Sequence, residues 1–226
     1  MVKGQDPVAT TGTYASKPLA QSLKSAKKRD AILRAAIKII NLKSFALATM
    51  SEIAATLDLR DASLYYYYPN KQALAFACHL QSLERLERML VIADREAESG
   101  AGKLERLLTD LLHDSAENGP QLYFGDLSYL SDAQREEVSD WGQRLTADLE
   151  RFVEEGIQDG SIVPCEPQLV VQLLLGMLIW LVKWVPTIRG VTPDRLMAAM
   201  GVVSLTGLQP RRSGSANRRL KPLPAT

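Results

Sequence analysis

Apolar residues in this chain recur at helical intervals over most of its length, with Gly, Pro and polar clusters marking the breaks. Ile32, Leu33, Ala36, Ile37 and Ile40 follow the i, i+3, i+4 spacing of one buried helix face, in a helix that opens near Ser25. Two short helices are predicted next: one carrying Ile53, Ala54 and Leu57, the other from about Asp61 to Tyr67. Longer ones follow at about 70–98, 103–117, 121–130, 133–158, 166–184 and 193–208. No segment shows a strong strand alternation bounded by turns, so the expected fold class is all-α. Residues 1–22 have no apolar period and read as a flexible arm; 23–75 form a small helical domain and 76–209 a larger one. The Arg- and Pro-rich 210–226 cannot bury a core and reads as a disordered basic tail.

Composition adds little until the charge is divided. Of 226 residues, 46% are hydrophobic and 23% charged, as in a soluble globular protein, and the net charge is +1. Residues 1–75 hold 11 Lys/Arg against 5 Asp/Glu, whereas 76–209 hold 11 against 21. A basic N-terminal third on an acidic body points to a polyanionic partner for that third alone. No secretory signal is visible, and the apolar run Leu173–Val182 is too short for a bilayer core of about 30 Å. With two cysteines, Cys78 and Cys165, outside any metal or redox spacing, a reduced cytoplasmic setting and no membrane partner are expected.

The stretch Thr49–Leu74, TMSEIAATLDLRDASLYYYYPNKQAL, carries the chemistry. Thr49-Met-Ser-Glu52 fits a capping box, in which the Thr hydroxyl accepts from the backbone three residues on and Glu52 reaches back. Asp58 stands where a tight turn needs a left-handed backbone. Leu64 and Tyr68 face inward at i, i+4, Pro69 stops the second helix, and Asn70 caps the next, leaving Lys71 in its first turn. Two helices around a short turn place the second where it can enter a DNA major groove. Its free face offers Arg60, Ser63, Tyr66 and Tyr67. Tyr65, Tyr66 and Tyr67 cannot all be buried, because three consecutive helix positions cannot share one face. A tyrosine gives a hydroxyl to phosphate and a ring to thymine methyls.

Residues 28–74 resemble the DNA-binding domain of TetR-family transcriptional regulators. The resemblance rests on KRDAILRAAIKII, Phe45, Thr49, Glu52-Ile53-Ala54, Leu59, Ser63-Leu64-Tyr65 and Asn70-Lys71-Gln-Ala-Leu74. It implies a homodimer that binds a near-palindromic operator through one helix-turn-helix per protomer and represses until a ligand arrives. Carried over, Thr49, Tyr65, Tyr67 and Lys71 contact phosphates, Arg60, Asp61, Ser63 and Tyr66 lie near base edges, and Lys24, Lys27, Lys28 and Arg29 supply the basic run before the reading head. The chain departs from the family at Ser44 and Asp58, where glycine is usual, and at Ala62. At Arg60 the usual Ser or Thr cap is absent, leaving Asp61 to cap instead.

Beyond residue 76 the resemblance lies in helix number and placement. It implies an effector pocket lined by residues such as Leu108, Leu112, His113, Tyr123, Phe124, Trp141, Leu145, Phe152 and Leu174. It also implies a dimer interface on the last two helices, at Leu173, Gly176, Met177, Trp180, Met197, Met200 and Leu205. The helix after Pro167 is apolar nearly all round and is expected to be covered on more than one side. The stretch LLLGMLIWLVKW resembles members that sense acyl-CoA thioesters or related lipids, with Arg135, Arg144 and Lys183 as cations for such a ligand. The effector is therefore expected to be a small apolar compound.

Other function classes find little in the sequence. It has no nucleophile elbow, paired-carboxylate constellation, phosphate-cradling Gly loop or metal spacing, and only two histidines for acid–base chemistry. Neither an enzyme nor a cofactor or metal is expected. The alternative to a regulator is a ligand- or protein-binding helical module that has lost operator recognition, which the departures at Arg60 and Asp61 keep open.

Overall fold

The computed structural model describes residues 17–122 and 126–201, with side-chain surroundings from Lys24 onward. Their regular structure is helical throughout. Helix α1 spans Lys17–Leu47, α2 Met50–Ala55, α3 Asp61–Tyr67, α4 Lys71–Glu96, α5 Gly100–Asn118, α6 Asp132–Asp159, α7 Pro167–Trp184 and α8 Pro193–Met200, with a 3-10 turn at Val185–Thr187. Two compact units divide between Cys78 and His79, inside α4, three residues beyond the boundary expected from sequence.

In the first unit the apolar face of α1 is buried as its periodicity requires: Ile32, Ala36 and Ile37 are at most 1% exposed. Ile53 and Ala54 of α2, Leu64 of α3 and Leu74 of α4 complete that core. Cys78 is buried here too, its thiol donating to the Leu33 carbonyl at 3.8 Å, and burial pushes its pKa up. Lys17–Ala20 and the two residues after them, expected in the arm, are instead helical as the start of α1.

The second unit packs the Leu104–Leu112 face of α5 among buried residues of α6 (Leu145, Leu149, Phe152) and α7 (Val171, Leu174, Leu175). Its α5 begins hard against α6. A Cβ on Gly100 would lie 2.1 Å from Gly156 N, so only glycine allows this approach. The same end is bound by charge: Lys103 Nζ lies 2.6 Å from both Asp94 Oδ1 and Glu155 Oε2, and Arg151 lies 3.0 Å from Asp94 Oδ2. These cations hold the Asp94 and Glu155 carboxyls below their ordinary pKa values.

The helix expected at 121–130 is not seen in its described residues, 121–122 and 126–130, which are not helical. The Leu122 N–H goes to Ser82 Oγ at 2.9 Å, the Ser128 N–H to the Asp126 carboxylate at 2.8 Å, and Leu130 closes a turn on Leu127. A distant side chain, Ser82 of α4, thus holds the Leu122 N–H, and a local one, Asp126, takes the Ser128 N–H that a helix would have used. The rest of the expected helix 193–208, the arm to residue 16, the tail 210–226, and Tyr123, Phe124 and Leu205 lie outside the described residues.

Candidate nucleic-acid interface

The reading unit is built on two helix starts and one turn. Thr49 Oγ1 accepts from Glu52 N at 3.2 Å and so caps α2. The capping box is half made, because the Glu52 carboxylate turns away to Lys43 Nζ at 2.5 Å. After α2 the chain turns through Asp58, whose φ of 52° is the left-handed conformation expected there. Leu59 N closes the turn on Ala54 O at 3.0 Å.

Helix α3 starts at Asp61, with Arg60 at the cap position and no side-chain cap bond. The expectation that Asp61 caps is thus corrected. Asp61 is the first residue of the helix, where the dipole favours a carboxylate, and it accepts from the Ser51 hydroxyl of α2. Leu64 is fully buried and anchors the helix, while Tyr66 is 84% and Tyr65 48% exposed. Tyr67 and Tyr68 are half-buried, and burial, reinforced by Cys78, raises the Tyr68 pKa. The Tyr66 and Tyr67 rings meet edge to face, 5.3 Å between centroids. The tyrosine run is therefore divided, and its most exposed ring sits on the free face of α3 beside exposed Arg60 and half-buried Ser63. Lys27 is exposed and Lys28 half-buried on α1.

Two further residues shape this unit, the first at a position where the family resemblance has glycine, the second unannounced by the sequence. Ser44, within the last turn of α1, has φ 73° and ψ 163°. That region is essentially restricted to glycine and costs another residue about 1–3 kcal/mol. Lys71, at the start of α4 behind the Asn70 cap, points its ammonium back at α1. Nζ donates to the carbonyls of Phe45 (2.8 Å), Ala46 (3.3 Å) and Ala48 (2.9 Å) and lies 4.4 Å from the Phe45 ring centroid. The contacts span at least 23 residues of sequence, so no local spacing could have indicated them.

In the second unit the expected pocket residues are not gathered around one space. Leu108 and Leu174 line a closed interior cavity of about 20 Å³, room for roughly one water. Leu112 faces another pocket, of about 180 Å³, walled by α5, α7 and α8 through residues such as Ala116, Pro120, Leu181, Val185 and Leu196. Leu145 and Phe152 are core residues at 2% and 0% exposure, and Trp141 is half-buried. His113 is nearly half-exposed, 3.6 Å from Asp194, so it does not anchor an enclosed site.

The expected interface residues also separate. Leu173 is 71% and Trp180 63% exposed, with Gly176 open between them. Met200 is buried against Leu108 and Leu112, with Met177 and Met197 packed on the same cluster, so these methionines serve the protomer's own core. Among the described residues α7 is covered on one side only, not on more than one as expected. With the turn after it (Pro167–Thr187, mean hydropathy 1.9) it is long and apolar enough to cross a bilayer by length and composition, longer than Leu173–Val182 suggested.

A helix-turn-helix with a free aromatic face on its second helix, in a chain with a separate all-helical unit, defines a DNA-binding transcriptional regulator. The family model "Bacterial regulatory proteins, tetR family" matches residues 32–78, and "Tetracyclin repressor-like, C-terminal domain" matches 97–208. The chain belongs to the tetR family, whose members bind operator DNA, dimerise and are generally not enzymes. No curated protein sequence matches it. Among solved structures it is similar to a tetR-family regulatory protein from Rhodococcus RHA1, at 23% identity and TM-score 0.64, covering 80% of this chain and 97% of that one. It is similar to the ketosteroid regulator KstR2 of Mycobacterium tuberculosis at 14% identity and TM-score 0.67 (81% and 96%). AibR in complex with isovaleryl coenzyme A and operator DNA aligns at 20% identity and TM-score 0.62 (78% and 98%). At these identities the structures share a fold with the chain.

Proposed function

We propose that this protein is a homodimeric repressor that occupies a near-palindromic operator and is released by a small apolar effector. The observation that carries the DNA half is α3: Leu64 is buried beneath it while Tyr66, 84% exposed, finds no cover within the chain. Arg60, Ser63 and Tyr66 read base edges, and Thr49, Tyr65 and Tyr67 meet phosphates, with Lys27 and Lys28 adding attraction. The exposed apolar stripe of α7 supports pairing with a second copy better than a membrane partner, since this is a family of dimeric DNA-binding regulators.

The pocket of about 180 Å³ supports the effector half. Among the described residues none of its lining is charged, and Ser115 and Thr192 supply the hydroxyls. That volume is near the roughly 150 Å³ of an apolar cavity that holds benzene. A short branched acyl group or a single ring suits it. The similar structure AibR was solved with isovaleryl coenzyme A, which makes short acyl-CoA thioesters the first compounds to try.

The test is a mobility-shift titration of the full chain on DNA from upstream of its own gene, at several salt concentrations. Specific binding should fall linearly in log K against log salt as cations compete for phosphates. Isovaleryl-CoA, or a shorter or longer acyl-CoA, should then raise the melting temperature and reduce DNA occupancy together. Absence of specific binding at every salt concentration overturns the operator reading. DNA binding indifferent to all apolar compounds overturns the effector reading alone.

A further inference from the structure

The corner between α1 and α2 holds a strained residue and a saturated cation side by side. Ser44 lies in a glycine-only backbone conformation, in a position exposed to solvent. Such a conformation persists only where the surroundings over-determine it. The carbonyls that follow it, at Phe45, Ala46 and Ala48, are the ones that Lys71 Nζ binds. A lysine ammonium has three N–H donors, and three acceptors are present. Two of these carbonyls belong to the last turn of α1, where a helix leaves its C=O groups without partners. The Phe45 ring, 4.4 Å from Nζ, closes the other side.

We propose that Lys71 is a positioning residue: its ammonium clamps the peptide planes just after Ser44, holds the corner in its strained form, and thereby sets where α2 begins. This rests on the DNA-binding reading above but departs from the role the family resemblance gives Lys71, a phosphate contact. With its donors engaged by backbone carbonyls, the ammonium acts on DNA through Ala48 and Thr49. Ala48 is fully buried, so the corner cannot relax without disturbing the core, and Thr49 is the residue that caps α2 and, on that reading, meets phosphate. The strain at Ser44 and the clamp at Lys71 are two halves of one device.

The coupling gives a test that does not depend on DNA. Lys71→Met keeps the stem and removes the donors, whereas Ser44→Gly removes the strain. The clamp predicts that Lys71→Met lowers the urea midpoint, that Ser44→Gly raises it, and that Ser44→Gly gains distinctly more in the Lys71→Met background than in the wild type, recovering most of the loss. Additive effects of the two changes, or failure of the double variant to fold, overturn the coupling. Should Lys71→Met alone not fold, folding of the double variant is itself the rescue.

The second arm uses operator DNA. Lys71→Met should weaken binding roughly tenfold with the slope of log K against log salt unchanged, and Ser44→Gly should restore the affinity. A slope smaller by about 0.9, the value of one lost phosphate contact, with no change in urea midpoint, overturns the proposal in favour of direct contact. If the wild-type chain binds no operator, the DNA-binding reading fails while the urea cycle still decides the clamp.

Discussion

His79 Nε2 lies 2.8 Å from the Tyr129 hydroxyl, with His79 only 1% exposed and the two rings stacked at 28°. One helical turn along α4, Ser82 donates to Gln121 Oε1 at 3.3 Å and accepts from Leu122 N at 2.9 Å. Where a helix is expected at 121–130, these side chains instead tie a strap, Gln121, Leu122 and Tyr129, to α4. Among the described residues, the buried polar groups His79, Ser82 and Gln121 all belong to that attachment.

Burial moves the His79 pKa down from 6.5 to about 4, and the Leu122 backbone offsets this only in part. The unfolded chain therefore binds a proton that the native chain refuses between those two values. The associated stability is fully present above pH 6.5 and is lost as pH falls towards 4, by roughly 3 kcal/mol in total. His79→Gln should flatten the fall in urea midpoint between pH 6.5 and 4 relative to the wild type. An unchanged pH profile would place the acid sensitivity in the carboxylates instead.

The contrast between strap and reading unit explains what could be read from sequence. The α3 boundaries, the Thr49 and Asn70 caps, the left-handed Asp58 and the inward Leu64 were legible because each depends on residues within four positions. The strap was not, because apolar spacing around Leu122, Leu127 and Leu130 resembles a helix while Ser82, 40 positions away, decides otherwise. Lys71 escaped for the same reason. The pocket residues were assigned from apolar character, which core and pocket share, so Leu145 and Phe152 could not be told from lining residues.

Replacing Gly100 by Ala should be among the most damaging single-methyl changes in this chain. The added Cβ would meet Gly156 N at 2.1 Å and Phe152 O at 2.3 Å, both backbone atoms that no rotamer change can move aside. The start of α5 must separate from α6, at a cost of about 3 kcal/mol or more, and the Lys103 ion pairs are disturbed with it. Gly102→Ala is the control, since its nearest neighbour is the Ser99 hydroxyl at 3.1 Å. Thermal unfolding should show a large loss for the first and a small change for the second. Equal losses would trace the effect to glycine's local conformation rather than to the helix crossing.

At the start of α2, the cap should matter more than the ion pair beside it. Thr49→Ala removes the acceptor for Glu52 N and is expected to cost about 1 kcal/mol. Lys43 and Glu52 are 52% and 32% exposed, and pairs so placed contribute well under about 1 kcal/mol. Lys43→Met should therefore shift the urea midpoint less than Thr49→Ala, with its effect vanishing in 1 M salt. A larger loss for Lys43→Met would mean that Glu52, left without its cation, was holding the corner itself.

The exposed face of α7 is where the proposed pairing of two copies can be tested. Leu169, Leu173, Gly176 and Trp180 fall at i, i+4, i+7 and i+11, one stripe along the helix, and the three large side chains are 55%, 71% and 63% exposed. A stripe this apolar left in water is a liability that a second copy of the same face removes. In an isologous contact each substitution enters twice, near a two-fold axis, so a charge placed there meets its own image. Leu173→Glu with Trp180→Glu should sediment as a monomer, with helical circular dichroism retained because neither side chain supports the protomer's core. Operator binding should weaken by orders of magnitude, since a palindrome is then read by one head at a time. A double variant that remains dimeric would move the interface off α7, and a monomer that binds the operator undiminished would break the link between pairing and recognition.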